Sequence, residues 1–146
     1  MRLEILIGLP ASGKSSYTKS LGNNYVIFSS DAIREELYGD ENIHGNNGEV
    51  FSLLSKRLKE LLSTGTKNAV IDATNVTEKK RKHYIMMGKR YGYEVVAIWF
   101  DVPLEVCLER NQNRNRIVKN FVFERMSSQF QPPTLEEGFD KIEIIS

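Results

Sequence analysis

A glycine-rich segment near the start of the chain has the residue types and spacing of a phosphate-binding loop. Residues 8–15, GLPASGKS, fit the pattern G-x-x-x-x-G-K-[ST]. Gly8 and Gly13 free the backbone to curl around an anion, so that consecutive N–H groups and a helix N-terminus face its phosphates. We expect Lys14 to reach the β- and γ-phosphates and the hydroxyl of Ser15 to contact Mg²⁺. The segment therefore predicts a site for a nucleotide triphosphate and its metal ion.

Asp31 and Arg34 form a second candidate cluster. They follow an apolar run at 25–29, and their i,i+3 spacing would place both on one face of a helix. A kinase needs a carboxylate that accepts the proton of the attacking hydroxyl, and Asp31 is suited to that role. Arg34 could then hold a phosphate of the acceptor bidentately. Taken without the phosphate loop, the same residues are as typical of a helix N-cap and a solvated arginine.

A third group of polar residues, DATN at 72–75, follows the apolar run 69–71. Asp72 could hold Mg²⁺ directly or through water. Thr74 and Asn75 could shape the floor of a pocket for the acceptor. For Asn75 an ordinary turn position is an equal alternative, because asparagine is common in turns.

Residues 110–116, RNQNRNR, are polar and contain three arginines with no acidic residue among them. These charges repel one another unless an anion joins them. We predict that residues 110–118, here called the lid segment, close over a nucleotide, bring positive charge to the transferred phosphoryl group and exclude water. The alternative is a solvated loop. The predicted nucleotide contacts are Gly8, Pro10, Ala11, Ser12, Gly13, Lys14, Ser15 and Ser16 of the phosphate loop, with Arg110 and Arg114 of the lid segment.

Two further clusters are interpreted as structural. Residues 79–82, KKRK, with 89–90 form a basic helix face, which is usually solvated although it could guide a polynucleotide. The apolar side chains near the end of the chain are interpreted as core or groove packing rather than as a platform for bases; they are Phe121, Phe123, Met126 and Phe130.

Short apolar runs alternate with longer amphipathic patterns along the chain, and these elements must position the clusters. Strands are predicted at 3–7, 25–29, 69–71, 94–100 and 140–145. Helices are predicted at 13–21, 31–38, 48–63, from Thr77 as N-cap to about 92, from Pro103, and at 119–129. This order predicts an α/β protein of the P-loop NTPase/kinase fold, with a parallel five-stranded sheet and helices on both faces. Ligands of such sheets bind at the carboxyl ends of the strands, where the polar clusters fall.

Composition bounds the remaining possibilities. The 146 residues include 20 Lys and Arg against 19 Asp and Glu, a net charge of +1, and 40% are hydrophobic. This excludes a mainly disordered chain, and a single cysteine excludes a disulfide scaffold. The charge is too low for a dedicated duplex-DNA binder. We expect one domain over 1–146, no membrane span, no secretory signal and a cytoplasmic location. The composition does not predict an oligomeric state.

Together the phosphate loop, Asp31 with Arg34, the DATN segment and the arginines at 110–116 resemble the 5′-kinase domain of polynucleotide kinases. The closing stretch, PTLEEGFD at 133–140, is similar to the end of bacterial and phage members. The resemblance implies ATP and Mg²⁺ as cofactors and transfer of the γ-phosphate to a 5′-hydroxyl end of DNA or RNA. It implies that Lys14 and Ser15 bind phosphates and metal.

The resemblance also assigns roles beyond the phosphate loop. It implies that Asp31 is the general base, that Arg34 contacts the 3′-phosphate of the acceptor and that Arg114 contacts the donor phosphates. Many family members carry a phosphatase or ligase domain, which this chain lacks, so two-step end healing is not expected of it alone. Kinases that act on small metabolites, nucleotide sugars and aminoacyl-tRNA share the same fold and phosphate loop. A non-catalytic ATP-binding module is the other alternative.

Overall fold

The computed structural model describes residues 1–41, 47–114 and 117–146. Within these ranges five parallel strands form one sheet, as predicted, and their order in the sheet is β2-β3-β1-β4-β5. The strands are β1 (Arg2–Ile7), β2 (Tyr25–Ser29), β3 (Asn68–Asp72), β4 (Glu94–Phe100) and β5 (Lys141–Ile145). The three central strands are nearly continuous apolar runs because helices cover both of their faces.

Six helices lie in the described part of the chain. They are α1 (Lys14–Ser20), α2 (Ser30–Tyr38), α3 (Asn47–Thr64), α4 (Glu78–Arg90), α5 (Leu104–Gln112) and α6 (Asn120–Gln129). A one-turn 3₁₀ helix at Leu135–Glu137 was not predicted. The larger core cluster packs α2, α3 and α4 on one face of the sheet. A smaller cluster on the opposite face includes Tyr17 of α1, so the prediction of helices on both faces is confirmed.

The N-caps of two helices, α4 and α2, are relevant to the candidate site. The Thr77 hydroxyl accepts a hydrogen bond from the Lys80 amide at 3.3 Å, which makes it the predicted N-cap of α4. At α2 the cap is Ser29, whose hydroxyl accepts from the Ala32 amide at 3.2 Å. Asp31 is therefore not the N-cap of α2.

The structure corrects two sequence-based expectations. Arg110 belongs to the last turn of α5, so the irregular stretch is shorter than predicted; Asn115 and Arg116 of the lid segment lie outside the described residues. The basic helix face is not wholly solvated, because the Arg81 side chain is completely buried. Within the described ranges no helix is both long and apolar enough to span a membrane.

The packing of α4 on the sheet depends on Gly88. A Cβ at this position would lie 2.7 Å from Val95 Cγ2 and 2.8 Å from Leu3 Cδ2. Both neighbours are fully buried, so they have little room to move. We predict that Gly88→Ala lowers the free energy of unfolding by about 1–2 kcal/mol, because overpacking outweighs the gain in helix propensity. Chemical denaturation measures this, with Met86→Ala on the exposed side of α4 as control; an unchanged or raised midpoint for Gly88→Ala would contradict it.

Candidate active site

An open cleft of about 1390 Å³ lies at the carboxyl edge of the sheet. Single small-molecule sites usually occupy about 300–1,000 Å³, so this cleft has room for a donor and an acceptor together. The predicted site residues that line it are Pro10, Ala11, Ser12, Gly13, Lys14, Ser15, Ser16, Asp31, Arg34, Asp72, Thr74, Arg110 and Arg114. The topology thus brings together clusters that are far apart in the sequence.

The phosphate loop connects β1 to α1 in a conformation that requires its glycines. Gly13 has a φ of 111°, a region that side chains rarely adopt, and Ala11 has a φ of 63°. A Cβ on Gly8 would lie 2.7 Å from Ser12 Oγ and 3.0 Å from Phe100 Cβ. Gly8 therefore lies behind the cleft wall, where its N–H donates to the Thr74 carbonyl at 3.0 Å. The contribution of Gly8 is to permit the path that the loop follows.

The Lys14 ammonium folds back over its own loop. Its Nζ donates to the Gly8 carbonyl at 2.9 Å and to the Leu9 carbonyl at 2.7 Å. Desolvation lowers the pKa of Lys14 to about 8, and Asp72 partly opposes this shift. A phosphate at the loop would supply the anion that this desolvated ammonium lacks.

Asp72 and Ser15 have the oxygen donors that suit Mg²⁺. Magnesium in phosphotransfer sites is usually held by one or two protein oxygens, with substrate phosphates and waters completing its shell. Burial raises the pKa of the Asp72 carboxyl, and the nearby Asp31 carboxylate raises it further, whereas Lys14 lowers it. A cation between these carboxylates would remove the repulsion, so the residues present fit the metal.

Asp31 and Arg34 form an ion pair on the first turn of α2, with 2.9 Å between Arg34 Nη1 and Asp31 Oδ1. Asn47 Oδ1 accepts from Arg34 Nη2 at 3.3 Å, and the guanidinium carbon lies 5.8 Å from the centroid of the Phe51 ring. Arg34 is 8% exposed, and its Nε has no hydrogen-bond partner among the described residues. The guanidinium is thus held in place, with one buried donor for which the described part of the chain supplies no acceptor.

Asn75 does not line the cleft. Its side chain is buried, and Nδ2 donates to the Leu6 carbonyl at 2.8 Å and to the Ala73 carbonyl at 3.3 Å. Its φ of 47° is left-handed, a conformation that asparagine tolerates. The alternative, a turn residue, is what the structure shows. Asn75 shapes the cleft indirectly by holding Thr74 in its wall.

The described part of the lid segment contributes Arg110 and Arg114 to the cleft. Arg114 is close enough to Lys14 to lower the pKa of that ammonium. The base of the segment is closed by Asn111, whose Nδ2 donates to the Val118 carbonyl at 2.6 Å and whose Oδ1 accepts from the Val118 amide at 2.9 Å. Positive charge from the segment therefore reaches the phosphate loop.

Several residues of α6 also line the cleft, although the sequence did not identify them as site residues. Phe121 is 56% exposed and lines the cleft, so it packs in a groove rather than in the core, whereas Phe123 is fully buried. Arg125 lies one turn after Phe121, with its guanidinium carbon 5.8 Å from the ring centroid. The i,i+4 spacing of an aromatic residue and an arginine was the only sequence signal for this pair.

The parallel sheet, the phosphate loop between β1 and α1, and a cleft with room for two ligands define a nucleotide-binding protein of the P-loop kinase fold. The chain belongs to the AAA domain family, whose model matches residues 3–133.

Relatives confirm the resemblance to polynucleotide kinases and add a second group. A bifunctional polynucleotide phosphatase/kinase of Schizosaccharomyces pombe is 26% identical over 146 residues, covering 95% of this chain and 32% of the relative. An L-seryl-tRNA(Sec) kinase of Methanococcus maripaludis is 28% identical over 151 residues, covering 94% of this chain and 56% of the relative. The chain thus spans little more than half of the second relative and about a third of the first.

A solved structure shows the same fold. The Pnkp1/Rnl/Hen1 RNA repair complex contains a chain that superposes with a TM-score of 0.73 at 21% sequence identity. The match covers 95% of this chain and 46% of the other.

The ionisation of Lys14 predicts how nucleotide affinity depends on pH. Because phosphate binds the charged ammonium, binding above a pKa of about 8 must take up a proton. We expect the affinity for ATP to be constant just below pH 8 and to fall by up to about tenfold per pH unit above it. Calorimetry between pH 7.5 and 9.5 measures this. Lys14→Gln should bind weakly without the slope; an equal slope in that variant would assign the ionisation to another group.

Proposed function

We propose that this protein is an ATP-dependent kinase that transfers the γ-phosphate to the 5′-hydroxyl of a polynucleotide. The observation that carries the proposal is the Asp31–Arg34 pair, which lines the same cleft as the phosphate loop. It combines a carboxylate for a hydroxyl proton with a fixed guanidinium for an anion. An acceptor that presents a hydroxyl close to a phosphate matches both groups, and a polynucleotide 5′ end has that chemistry.

On the donor side, the loop amides and Lys14 would hold the β- and γ-phosphates. Mg²⁺, held by Ser15 and Asp72, would supply positive charge to the phosphates when bound. Arg110 and Arg114 would add charge from the lid segment and exclude water. In this proposal residues 1–146 act as one kinase domain with a lid at 110–118.

On the acceptor side, Asp31 would orient the 5′-hydroxyl and accept its proton as the oxygen bonds to the γ-phosphorus and the bond from that phosphorus to the departing ADP breaks. The ion pair with Arg34 holds the Asp31 carboxylate in place in the cleft. Arg34 would bind the 3′-phosphate of the first nucleotide, and the unused buried Nε supports an anion there. Asn47 and Phe51 hold the guanidinium, so little ordering remains when the acceptor binds.

The cleft face of α6 supports a ligand that contains nucleobases. An exposed phenylalanine beside an arginine, such as Phe121 with Arg125, suits stacking of a base. A simple sugar acceptor would gain much less from these side chains. Lys80, an exposed residue of the cleft lining, would offer a contact to a further phosphate of the strand.

A second candidate is a kinase for the hydroxyl of an aminoacylated tRNA. The similarity to the L-seryl-tRNA(Sec) kinase favours it. Both candidates use the same donor site and differ in the acceptor hydroxyl and in the distance from that hydroxyl to the nearest phosphate.

The role proposed for Asp31 predicts that its removal greatly slows phosphate transfer without weakening nucleotide binding. We expect Asp31→Ala to lower kcat by about 10²- to 10⁴-fold, as removal of a general base does, and to leave the Kd for ATP unchanged. Transfer from γ-labelled ATP and calorimetry measure the two quantities. Asp101→Ala, an exposed carboxylate just beyond β4 and outside the cleft, is the control. Full transfer by Asp31→Ala would remove this residue from the reaction.

A panel of acceptors tests the proposed substrate. We expect label from ATP to enter a 5′-hydroxyl oligonucleotide and a nucleoside 3′-monophosphate, but not a plain nucleoside, because only the first two offer Arg34 a phosphate. Label in seryl-tRNA alone would favour the second candidate. ATP binding with no acceptor labelled would instead indicate a nucleotide-binding module.

The matched variant for this panel is Arg34→Met. It should raise KM for the nucleoside 3′-monophosphate by about 10- to 100-fold, because a hydrogen bond to a charged group is lost. Arg57→Met, on the exposed surface of α3, is the control. An Arg34→Met variant with unchanged preference among the acceptors would contradict the anchoring role.

A further inference from the structure

Arg81 of α4 is a completely buried arginine whose guanidinium is bonded on every nitrogen. Nε and Nη2 donate to the two carboxylate oxygens of Glu137 at 2.8 and 3.0 Å. Nη1 donates to the Asn75 carbonyl at 3.1 Å and to the Gln131 carbonyl at 2.8 Å. The exposed side-chain fraction is 0% for Arg81 and 8% for Glu137. A buried charge of this kind is costly unless every donor is used, so its partners reveal what it holds in place.

The partners of Arg81 belong to segments that meet at the acceptor side of the cleft. Asn75 ends the turn after β3, and the two residues before it, Ala73 and Thr74, line the cleft. Gln131 follows α6, the helix that carries Phe121. Glu137 lies in the 3₁₀ helix before β5.

The turn after β3 is bonded on its other side to the phosphate loop. The Thr74 carbonyl accepts from the Gly8 amide at 3.0 Å, and Asn75 Nδ2 donates to the Leu6 carbonyl at 2.8 Å. The turn is thus held between Arg81 and the end of β1. Its left-handed residue, Asn75, contributes a contact in each direction.

The end of α6 is joined to the same turn. The Gln131 amide donates to the Val76 carbonyl at 2.8 Å, and Gln131 Oε1 accepts from the Glu78 amide at 2.9 Å. Nη1 of Arg81 therefore bridges two carbonyls from different walls of the cleft, one behind Thr74 and one at the end of α6.

We propose that Arg81 is a positioning residue that sets the separation between the turn after β3 and α6, and so the width of the acceptor side of the cleft. A planar guanidinium can bond four acceptors in fixed directions, whereas a lysine keeps the charge and cannot reproduce that geometry. The consequence for catalysis rests on the proposed kinase function; the structural role does not.

Amide hydrogen exchange tests the structural role without requiring activity. In Arg81→Lys we expect protection of the Gly8 and Gln131 amides to fall by about tenfold or more, while the β1 amides keep theirs. Arg57→Lys is the matched control, because it alters an exposed arginine that pairs with Glu36 in the same two-pronged way. Unchanged protection of both amides in folded Arg81→Lys would overturn the proposal.

Glu137→Gln is a milder variant that decides the question if Arg81→Lys does not fold. It keeps the shape of the carboxylate and removes one acceptor of the guanidinium, and Glu36→Gln is its control. The same loss of protection at Gly8 and Gln131 is expected, and its absence counts equally against the proposal.

Kinetics separate positioning from a general loosening of the protein. We expect Arg81→Lys to lower kcat/KM for the acceptor by about 10- to 100-fold through KM, with an unchanged Kd for ATP. Equal losses of acceptor use and ATP binding would overturn the positioning role. If the wild-type protein labels no acceptor, the proposed function fails, and the exchange experiment still decides the role of Arg81.

Discussion

The candidate site depends on one set of hydrogen bonds, which joins the end of β1 to the turn after β3. Parallel strands end here with peptide groups that have no partner in the sheet, and a buried peptide group must find one. The Gly8 amide bonds to the Thr74 carbonyl, and the Asn75 side chain bonds to the Leu6 carbonyl. These contacts join the phosphate loop to the segment that carries Asp72. The residues proposed to bind the nucleotide phosphates and the metal are thereby held by one set of hydrogen bonds.

The charged groups in the cleft favour ligands that carry both negative and positive charge. Desolvation lowers the pKa of Lys14, and burial with the nearby Asp31 raises the pKa of Asp72. Each group is therefore held in an environment that disfavours its charged form. A phosphate would favour the charged Lys14 and a cation the charged Asp72, so the two ligands of a kinase compensate the two unfavourable shifts.

The face of the sheet under the phosphate loop is stabilised by a polar contact as well as by apolar packing. Glu4 of β1 is almost fully buried and accepts a hydrogen bond from the Tyr17 hydroxyl at 2.5 Å. The Tyr17 ring meets Phe100 edge to face, with centroids 5.6 Å apart. Burial, followed by the bond to Glu4, raises the pKa of Tyr17 above its ordinary value. Tyr17 thus fixes the orientation of α1, whose first residue is Lys14.

Local spacing in the sequence was sufficient to predict the phosphate loop, the succession of strands and helices, the Thr77 cap and the placement of Asp31 and Arg34 on one helix face. Which side chains face inward depended instead on contacts between distant segments. Asn75 turned into the core and Arg81 became buried, whereas Phe121 stayed exposed in the cleft. Each outcome depends on partners far along the chain, such as Leu6 for Asn75 and Glu137 for Arg81. No local periodicity encodes such a partner, because burial of a polar group is stable only when distant segments supply its hydrogen bonds.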